Sequence, residues 1–451
     1  MKRIILLFLI TITTMPVFAQ KQLTLQEAIS IALQRNPTLS KLKNNLNGRE
    51  SLLRNAYGQL LPSLGAQAGV NWSDISTKGG LQTFSSSAGQ FSYMTRDTSY
   101  QSRTYTAGVG GSFTLFNGLS NIANISQASD NLKANEYSIA KQKQDIVYST
   151  TDFYYTVLNN EELMKVRDEN VKYFQKLLET VQERNKLGAV TLADVYTSQV
   201  QLGNAELSSI QQQNIYETSL ASLLNYLALN VLDEYTLIDP FGKDKVIDTD
   251  SYLKDFDEIS IMVKAAMENR YDYKSQLLTL SAAQSGVTSA RGGIYPSLTG
   301  SYNYGSQSSV YSNLWNDKFF NVGFTLSVPL FSNFNVDNAI QLAKVTELNA
   351  DEDLRSLERQ IKIDIKQSYL DFTAAKKTLD VAVKNVIAAG ETQKINQERY
   401  NLGSATILDI LQANRDYTDA QRNQINAVYD FYRQHDRLTN AIGRLEYAKY
   451  E

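Results

Sequence analysis

The chain has 451 residues, 20% of them charged and 43% hydrophobic, with a formal net charge of −3 at pH 7. This length and composition can form a folded core, and the slightly acidic balance does not indicate nucleic-acid binding. Cysteine is absent, which excludes a disulfide framework, thiol catalysis and an acylated cysteine.

The first 19 residues predict a secretory signal peptide. Lys2 and Arg3 precede an apolar run, and Val17 and Ala19 occupy the small-residue positions of a cleavage site. Beyond residues 1–19 there is no run of 18 apolar residues, so we do not expect a membrane-spanning helix. A membrane role would therefore have to use β-strands.

The first half of the mature chain predicts a helix followed by two strands. A capping box that begins at Thr24 opens a helix, which we expect to continue past Pro37 and to end near residue 58. Alternation of apolar and polar residues predicts strands at about 62–72 and 103–116. The Ser-, Thr- and Gly-rich residues 73–103 between them predict a long loop.

A very long helix follows. Residues 121–187 contain neither Gly nor Pro, and a helix of that span would be roughly 100 Å long. A hairpin tip at 187–191 leads into a return helix. Residues 240–257 break the helical pattern and predict a linker between two halves.

The second half repeats this plan. It predicts strands at about 296–305 and 320–331, then a helix from Val336 to Leu402 and a hairpin tip at 402–406. Apolar residues spaced by seven along this helix predict coiled-coil packing, namely Ile365, Phe372, Leu379 and Val386. We therefore predict two repeats, 20–239 and 258–447.

The same turn sequence closes both long helices. Residues 182–195 read QERNKLGAVTLADV and residues 397–410 read QERYNLGSATILDI. In each copy a glycine can take the left-handed conformation that ends a helix. A threonine then stands at the N-cap of the next helix with an aspartate three residues later, a variant of the capping box. The paired positions are Gly188 and Gly403, Thr191 and Thr406, and Asp194 and Asp409.

Four strands cannot form a closed transmembrane structure by themselves. They would leave two open edges, which lipid does not tolerate, and closed barrels need at least eight strands. The strands must therefore be shared between chains, with a dimer of eight or a trimer of twelve as the smallest candidates.

These motifs together resemble TolC-like outer membrane efflux proteins. The resemblance rests on the duplicated plan, on Pro62 and Pro296 at the strand entries, on the strand exits at 115–118 and 329–333, and on the two hairpins. It implies an α+β membrane protein in which long coiled-coil helices and four strands per chain assemble in a homotrimer. The assembly would have a 12-stranded β-barrel in the outer membrane and a periplasmic α-helical barrel.

The resemblance also implies a function. The trimer would be a passive channel in the outer membrane of a Gram-negative bacterium, and part of a tripartite efflux or type I secretion system. Its partners would be a periplasmic adaptor (membrane fusion protein), a proton-driven or ABC inner-membrane pump, and outer membrane lipid. The pump selects the substrate, so drug efflux, metal efflux and protein secretion all stay open.

The family's periplasmic gate aligns with Asp409, Asp194, Tyr400 and Gln412. Three copies of Asp409 around a three-fold axis would prefer a cation between them, while a helix cap is the alternative role of Asp409 and Asp194. Tyr400 aligns with a tyrosine that latches the tip, and ordinary packing is its alternative. Ala405 stands where familiar members carry a latch arginine, and Gln412 stands where they carry a second acid, which implies a weaker latch and a smaller ring.

The exposed hairpin tips align with the family's adaptor contact, and helix caps are their alternative role. Close approach of a partner helix requires small residues. The residues concerned are Leu187, Gly188, Ala189, Leu402, Gly403 and Ser404.

No enzymatic site can be assembled from the sequence. His435 is the only histidine, and no catalytic triad, metal cluster or phosphate-binding loop can be built around it. We therefore expect no enzyme, no cofactor and no metal. A structural or adhesive coiled-coil protein anchored in the outer membrane without an open lumen is the alternative to a channel, whereas a soluble periplasmic adaptor would not explain the four strands.

Overall fold

The computed structural model describes residues 21–241, 249–254, 256 and 258–450. The predicted signal peptide at 1–19 and residues 242–248, 255 and 257 of the predicted linker lie outside the described residues. Within the part that is described, no helix is both long and apolar enough to span a membrane.

Eight strands are present in the described residues: β1 (Lys21–Leu23), β2 (Gly65–Thr77), β3 (Leu81–Ser86), β4 (Gly89–Met94), β5 (Thr98–Asn117), β6 (Tyr235–Leu237), β7 (Ser297–Ser308) and β8 (Lys318–Ser327). The same residues form nine α-helices: α1 (Leu25–Arg35), α2 (Pro37–Gly58), α3 (Ser120–Lys186), α4 (Leu192–Tyr226), α5 (Thr249–Lys254), α6 (Ile259–Asn269), α7 (Tyr271–Arg291), α8 (Asn335–Asn401) and α9 (Ile407–Ile442).

The chain divides into two compact units, and each takes segments from both halves of the sequence. The first consists of the described parts of Met1–Leu42, Ile139–Tyr271 and Glu358–Glu451, and the second of Lys43–Ser138 and Asp272–Leu357. The predicted division into repeats 20–239 and 258–447 is a different partition and stays a prediction.

The second unit contains an antiparallel sheet with the strand order β2-β5-β7-β8. The four predicted strands are all present, but their ends differ from the prediction. β2, β5 and β7 extend several residues beyond a predicted end, whereas β2 begins at Gly65 instead of 62 and β8 ends at Ser327 instead of 331. Within the described chain, β2 and β8 are the outer strands and each is paired on one side only. This leaves two edges, as the sequence predicts for a single copy.

The predicted loop at 73–103 is wrong. β2 continues to Thr77, β5 begins at Thr98, and between them β3 and β4 form an antiparallel hairpin in which Phe84 lies opposite Phe91. Serine and threonine do not prevent strand formation, because cross-strand aromatic and hydroxyl pairs stabilise a ladder. The hydroxyls of Thr83 and Ser92 are 3.1 Å apart.

The predicted single helix through Pro37 is also wrong. Asn36 is extended, with φ −61° and ψ 120°, and it separates α1 from α2. Proline disfavours helical backbone in the residue before it and is well placed at the first position of a new helix. The Asn36 Oδ1 atom accepts hydrogen bonds from the backbone N–H groups of Thr38 and Leu39, at 2.9 and 3.1 Å.

The two faces of the sheet differ in polarity. On β8 the side chains of Phe320, Val322, Phe324 and Leu326 point to one face and are 55–68% exposed. Asn321, Thr325 and Ser327 alternate with them and point to the other face.

Gly300 makes room on the apolar face. A Cβ atom there would lie 2.4 Å from the ring of Phe113, and that ring makes an edge contact with Phe324 at 6.4 Å. The glycine therefore allows the two rings to meet across β7.

In the first unit, the start of the described chain is held by a small parallel sheet. β1 pairs with β6 in register, with Leu23 opposite Leu237. The fully buried Tyr154 of α3 reaches this sheet, because its hydroxyl lies 2.8 Å from the Leu23 carbonyl oxygen and accepts a hydrogen bond from the Ile238 N–H at 3.0 Å. The sequence predicts neither strand.

The two long helices match their predicted extents to within one residue. α3 and α8 each contain 67 residues. Ile365, Phe372 and Leu379 of the predicted coiled-coil stripe are buried. The heptad spacing thus identifies the face of α8 that packs inside the first unit.

Candidate gate at the two helical hairpins

The end of each long helix has the same backbone geometry. Gly188 has φ +71° and Gly403 has φ +77°. In the first hairpin the Gly188 and Ala189 N–H groups donate to the Asn185 and Arg184 carbonyls, both at 2.9 Å. This is a Schellman turn, and it satisfies carbonyls that the end of a helix leaves without a partner.

The second hairpin repeats this turn. The N–H of Gly403 donates to the Tyr400 carbonyl at 3.0 Å, and the N–H of Ser404 donates to the Arg399 carbonyl at 2.8 Å. A Cβ added at Gly188 or Gly403 would meet no atom within 4 Å. Glycine is therefore required at both positions by the positive φ and not by crowding inside the chain.

Both returning helices begin with a complete capping box. The Thr191 hydroxyl accepts from the Asp194 N–H at 3.2 Å, while the Thr191 N–H donates to Asp194 Oδ2 at 3.0 Å. In the second hairpin the Thr406 N–H and hydroxyl donate to Asp409 Oδ2 at 2.7 and 2.8 Å. The capping role of the two aspartates is therefore observed, and their gating role stays a prediction.

Asp409 remains available for a second role. Its side chain is exposed, and Thr406 uses only the Oδ2 atom. The hydrogen bond from the Thr406 N–H, followed by that from the hydroxyl, holds the pKa of Asp409 below its usual value, with a further contribution from the charge of Arg399. The carboxylate thus keeps its charge near neutral pH.

Tyr400 lies inside a hydrophobic cluster. Its side chain is only 3% exposed and packs with residues of both hairpins, namely Phe174, Leu177, Val181, Ala205, Ile407 and Ile410. The Tyr400 hydroxyl is buried and has no hydrogen-bond partner among the described residues. Within a single chain Tyr400 is thus a packing residue, and its role as a latch remains a prediction.

Gln412 is exposed and makes contacts along its own helix. Its Nε2 atom donates to Asp416 Oδ1 at 2.7 Å, and its Oε1 atom accepts from Arg415. Asp416 is itself exposed one turn further along α9. An acid is therefore present one turn beyond Gln412, at a position outside the predicted gate residues.

The predicted adaptor contacts are exposed at both tips. Leu187 and Leu402 are each 84% exposed. Gly188, Ala189, Gly403 and Ser404 are also exposed. Leucine side chains this accessible contribute little to the stability of a single chain, so the tips present apolar surface that a partner could cover.

Arg184, which is not among the predicted site residues, connects the two hairpins. Its guanidinium donates to the Tyr400 carbonyl at 2.9 Å and to the Asn401 carbonyl at 2.6 Å. The same group lies over the Tyr400 ring, 4.6 Å from its centroid. The recurrence of Gln-Glu-Arg in both turn sequences is the only signal in the sequence that points to this residue.

The sequence of this chain matches a known family over most of its length. The model of the outer membrane efflux protein family aligns with residues 28–229 and 262–444. The chain belongs to the outer membrane efflux protein family. Its location is the outer membrane of a Gram-negative bacterium, with a large periplasmic part.

Two relatives carry the name outer membrane protein TolC. The protein of Vibrio cholerae is 25% identical over 316 residues, which cover 68% of this chain and 69% of the relative. The protein of Escherichia coli is 21% identical over 313 residues, or 67% of this chain. The chain spans 62% of the Escherichia coli protein, less than two thirds of its length.

Solved structures of two other outer membrane proteins share the fold of this chain. The outer membrane protein VceC of Vibrio cholerae superposes with a TM-score of 0.79 at 18% identity, over 93% of this chain and 96% of VceC. The CmeC outer membrane channel of Campylobacter jejuni gives a TM-score of 0.78 at 17% identity, over 94% and 88%. The family model describes efflux proteins, and the name of CmeC describes an outer membrane channel.

Proposed function

We propose that this chain is the outer membrane component of a tripartite efflux or type I secretion system. Three copies form a passive duct through which solutes leave the periplasm. The proposal includes the division into repeats 20–239 and 258–447, which the equal lengths of α3 and α8 and the matching hydrogen bonds of the two turns support.

The polarity of the sheet carries this proposal. A sheet with an exposed apolar face and an exposed polar face suits a wall between lipid and water. The apolar face of β8, with Phe320 and Leu326 at its ends, would contact lipid, and the face with Asn321 and Thr325 would line an aqueous lumen. An anchor without a lumen would have no need of the polar face.

The unpaired sheet edges support sharing of strands between copies. Hydrocarbon cannot satisfy the free backbone groups of β2 and β8, so another strand must pair with each of them. If β8 of one copy pairs with β2 of the next, three copies form a closed 12-stranded barrel. In such a trimer every strand would be paired on both sides, which a single chain cannot achieve.

The hairpins would form the periplasmic end of this duct. Asp409 would contribute to an acidic ring, with Asp194, Tyr400 and Gln412 beside it. The exposed Leu187 and Leu402 would meet a periplasmic adaptor, which in turn binds a proton-driven or ABC pump.

A structural or adhesive anchor remains the second candidate. The β3–β4 hairpin favours it, because Phe84, Phe91 and Tyr93 are exposed on a structure larger than a simple connecting loop. Aromatic side chains of this kind can mediate contacts with an external partner.

Single-channel recording in planar bilayers tests the proposal. We expect the wild type to conduct with a preference for cations, and Asp409→Asn to lose much of that preference, because the charge is removed while an acceptor for Thr406 is retained. Thr406→Ala is the matched control, since it removes the hydroxyl part of the capping box and keeps the Asp409 charge.

The outcomes separate the two candidates. Insertion without conduction by the wild type would contradict the channel and favour the anchor. Conduction with the same ion preference in wild type and Asp409→Asn would keep the channel and leave Asp409 as a helix cap.

A further inference from the structure

The two equivalent arginines of the hairpins make different contacts. Arg184 of the first hairpin reaches the last carbonyls of α8 in the second. Arg399 occupies the equivalent position in the second hairpin, yet it donates to the Ser404 carbonyl of its own turn at 3.2 Å. The first hairpin therefore holds the second, and Arg399 does not return the contact.

Arg184 completes the end of α8. The turn itself supplies donors for the carbonyls of Arg399 and Tyr400, but not for that of Asn401. The guanidinium provides that donor and also places a positive charge at the negative end of the helix dipole. Because the guanidinium is planar and carries several N–H donors, it can bind the Tyr400 and Asn401 carbonyls and still lie over the Tyr400 ring.

We propose that Arg184 holds the second hairpin in its resting position and thereby limits the opening of the periplasmic end. The turn to which Arg184 is hydrogen-bonded leads directly into Thr406 and Asp409. A movement of the end of α8 would therefore also move Asp409. Arg184 would act as a latch within one copy, from a different position than Ala405. This inference rests on the proposed channel function.

The same region contains a charge-matched control. Lys186 lies two residues after Arg184, is exposed, and pairs with Glu183 of its own hairpin at 2.7 Å. Lys186→Met removes one positive charge from the first hairpin without touching the second. Arg184→Met removes the charge and both hydrogen bonds but keeps an apolar stem against Tyr400.

Two measurements on the purified trimer test the inference. In hydrogen exchange, we expect Arg184→Met to accelerate exchange of the amides at 402–409, while those at 187–194 exchange as in the wild type. In planar bilayers, we expect its mean conductance to exceed that of the wild type and of Lys186→Met, because a larger share of the channels would be open. The exchange rates and conductance of Arg184→Lys should lie between those of the wild type and Arg184→Met, because an ammonium group cannot donate to both carbonyls with the planar geometry of a guanidinium.

Each outcome has a definite meaning. Unchanged exchange at 402–409 in Arg184→Met would overturn the inference, and so would a conductance equal to that of Lys186→Met. Faster exchange without a change in conductance would show that the contact stabilises the turn but does not control opening, which also overturns it. A wild type that inserts and does not conduct would contradict the channel itself, and exchange would then still report whether Arg184 holds the hairpin.

Discussion

At Asp409, a single carboxylate can serve two purposes. The backbone and hydroxyl of Thr406 both bind Oδ2, so Oδ1 is left for water or a cation. The cap fixes the direction in which the carboxylate points, and the helix dipole favours its negative charge. Capping and gating are thus compatible roles of the same side chain.

The depressed pKa of Asp409 gives a prediction for pH. A carboxyl whose pKa lies below the usual value stays ionised at pH values where an ordinary aspartate begins to protonate. We therefore expect the cation preference to be unchanged between about pH 7 and about pH 5. Reversal potentials measured across a salt gradient at the two pH values check this.

The opposite result would also be informative. If the cation preference falls over that range in the wild type but not in Asp409→Asn, the Asp409 carboxylates of neighbouring copies must lie close enough to raise one another's pKa. The single-chain description of the carboxylate would then be wrong for the assembly.

Tyr400 and Arg184 show what a sequence motif can and cannot convey about a residue. The motif identifies Tyr400 as a site residue, but its burial depends on Phe174 and Leu177, more than 200 positions earlier in the sequence. Arg184 lies in the motif too, and only the fold shows that its partners are Tyr400 and Asn401.

Among the secondary-structure elements, Tyr154 fixes the start of the described chain. It connects α3 to two strands that are distant in sequence, β1 and β6. Burial of the ring raises the pKa of Tyr154, so its hydroxyl keeps its proton and can donate at any ordinary pH.

Removal of the Tyr154 hydroxyl should loosen β1. In Tyr154→Phe the Leu23 carbonyl and the Ile238 N–H keep their mutual hydrogen bond at 3.1 Å but lose the bonds to the hydroxyl, which costs about 0.5–1.5 kcal/mol. We expect faster amide exchange at 21–23 and 235–238, measured on the purified protein. Tyr57→Phe is the control, because Tyr57 is exposed on α2.

The location of the effect distinguishes this role from general packing. Exchange that accelerates equally throughout the first unit, and not at β1 and β6, would show that the hydroxyl has no specific role in holding the strands. Equal exchange in Tyr154→Phe and wild type would mean that water replaces the missing group.

At the scale of the whole molecule, the sheet faces offer a direct test of membrane contact. Phe324 and Thr325 are neighbours on β8 that point to opposite faces. An arginine on a lipid-facing position near the bilayer midplane costs about 2–4 kcal/mol per chain, whereas the lumen side tolerates charge. We expect Phe324→Arg to reduce the fraction of protein recovered as outer membrane trimers and Thr325→Arg to leave it near the wild-type level.

Membrane fractionation followed by semi-native electrophoresis measures that fraction. Equal recovery of the two variants would contradict the assignment of the faces. Loss of Thr325→Arg alone would mean that the faces are reversed.

The sequence by itself determined the features that depend on neighbours along the chain. The glycine turns after α3 and α8 and both capping boxes follow from contacts within five residues, and the alternation of β8 follows from its own side chains. The two-sided sheet and the long helices were therefore predictable.

The tertiary structure alone decided the features that depend on distant partners. The pairing of β1 with β6 and the hydrogen bonds from Arg184 to the end of α8 join residues more than 200 positions apart. The β3–β4 hairpin was missed for another reason, because its sequence is polar and only cross-strand pairing reveals it as a ladder. Local patterns specify the extents of the long helices and the alternation of the strands, whereas the folded chain specifies which surfaces meet.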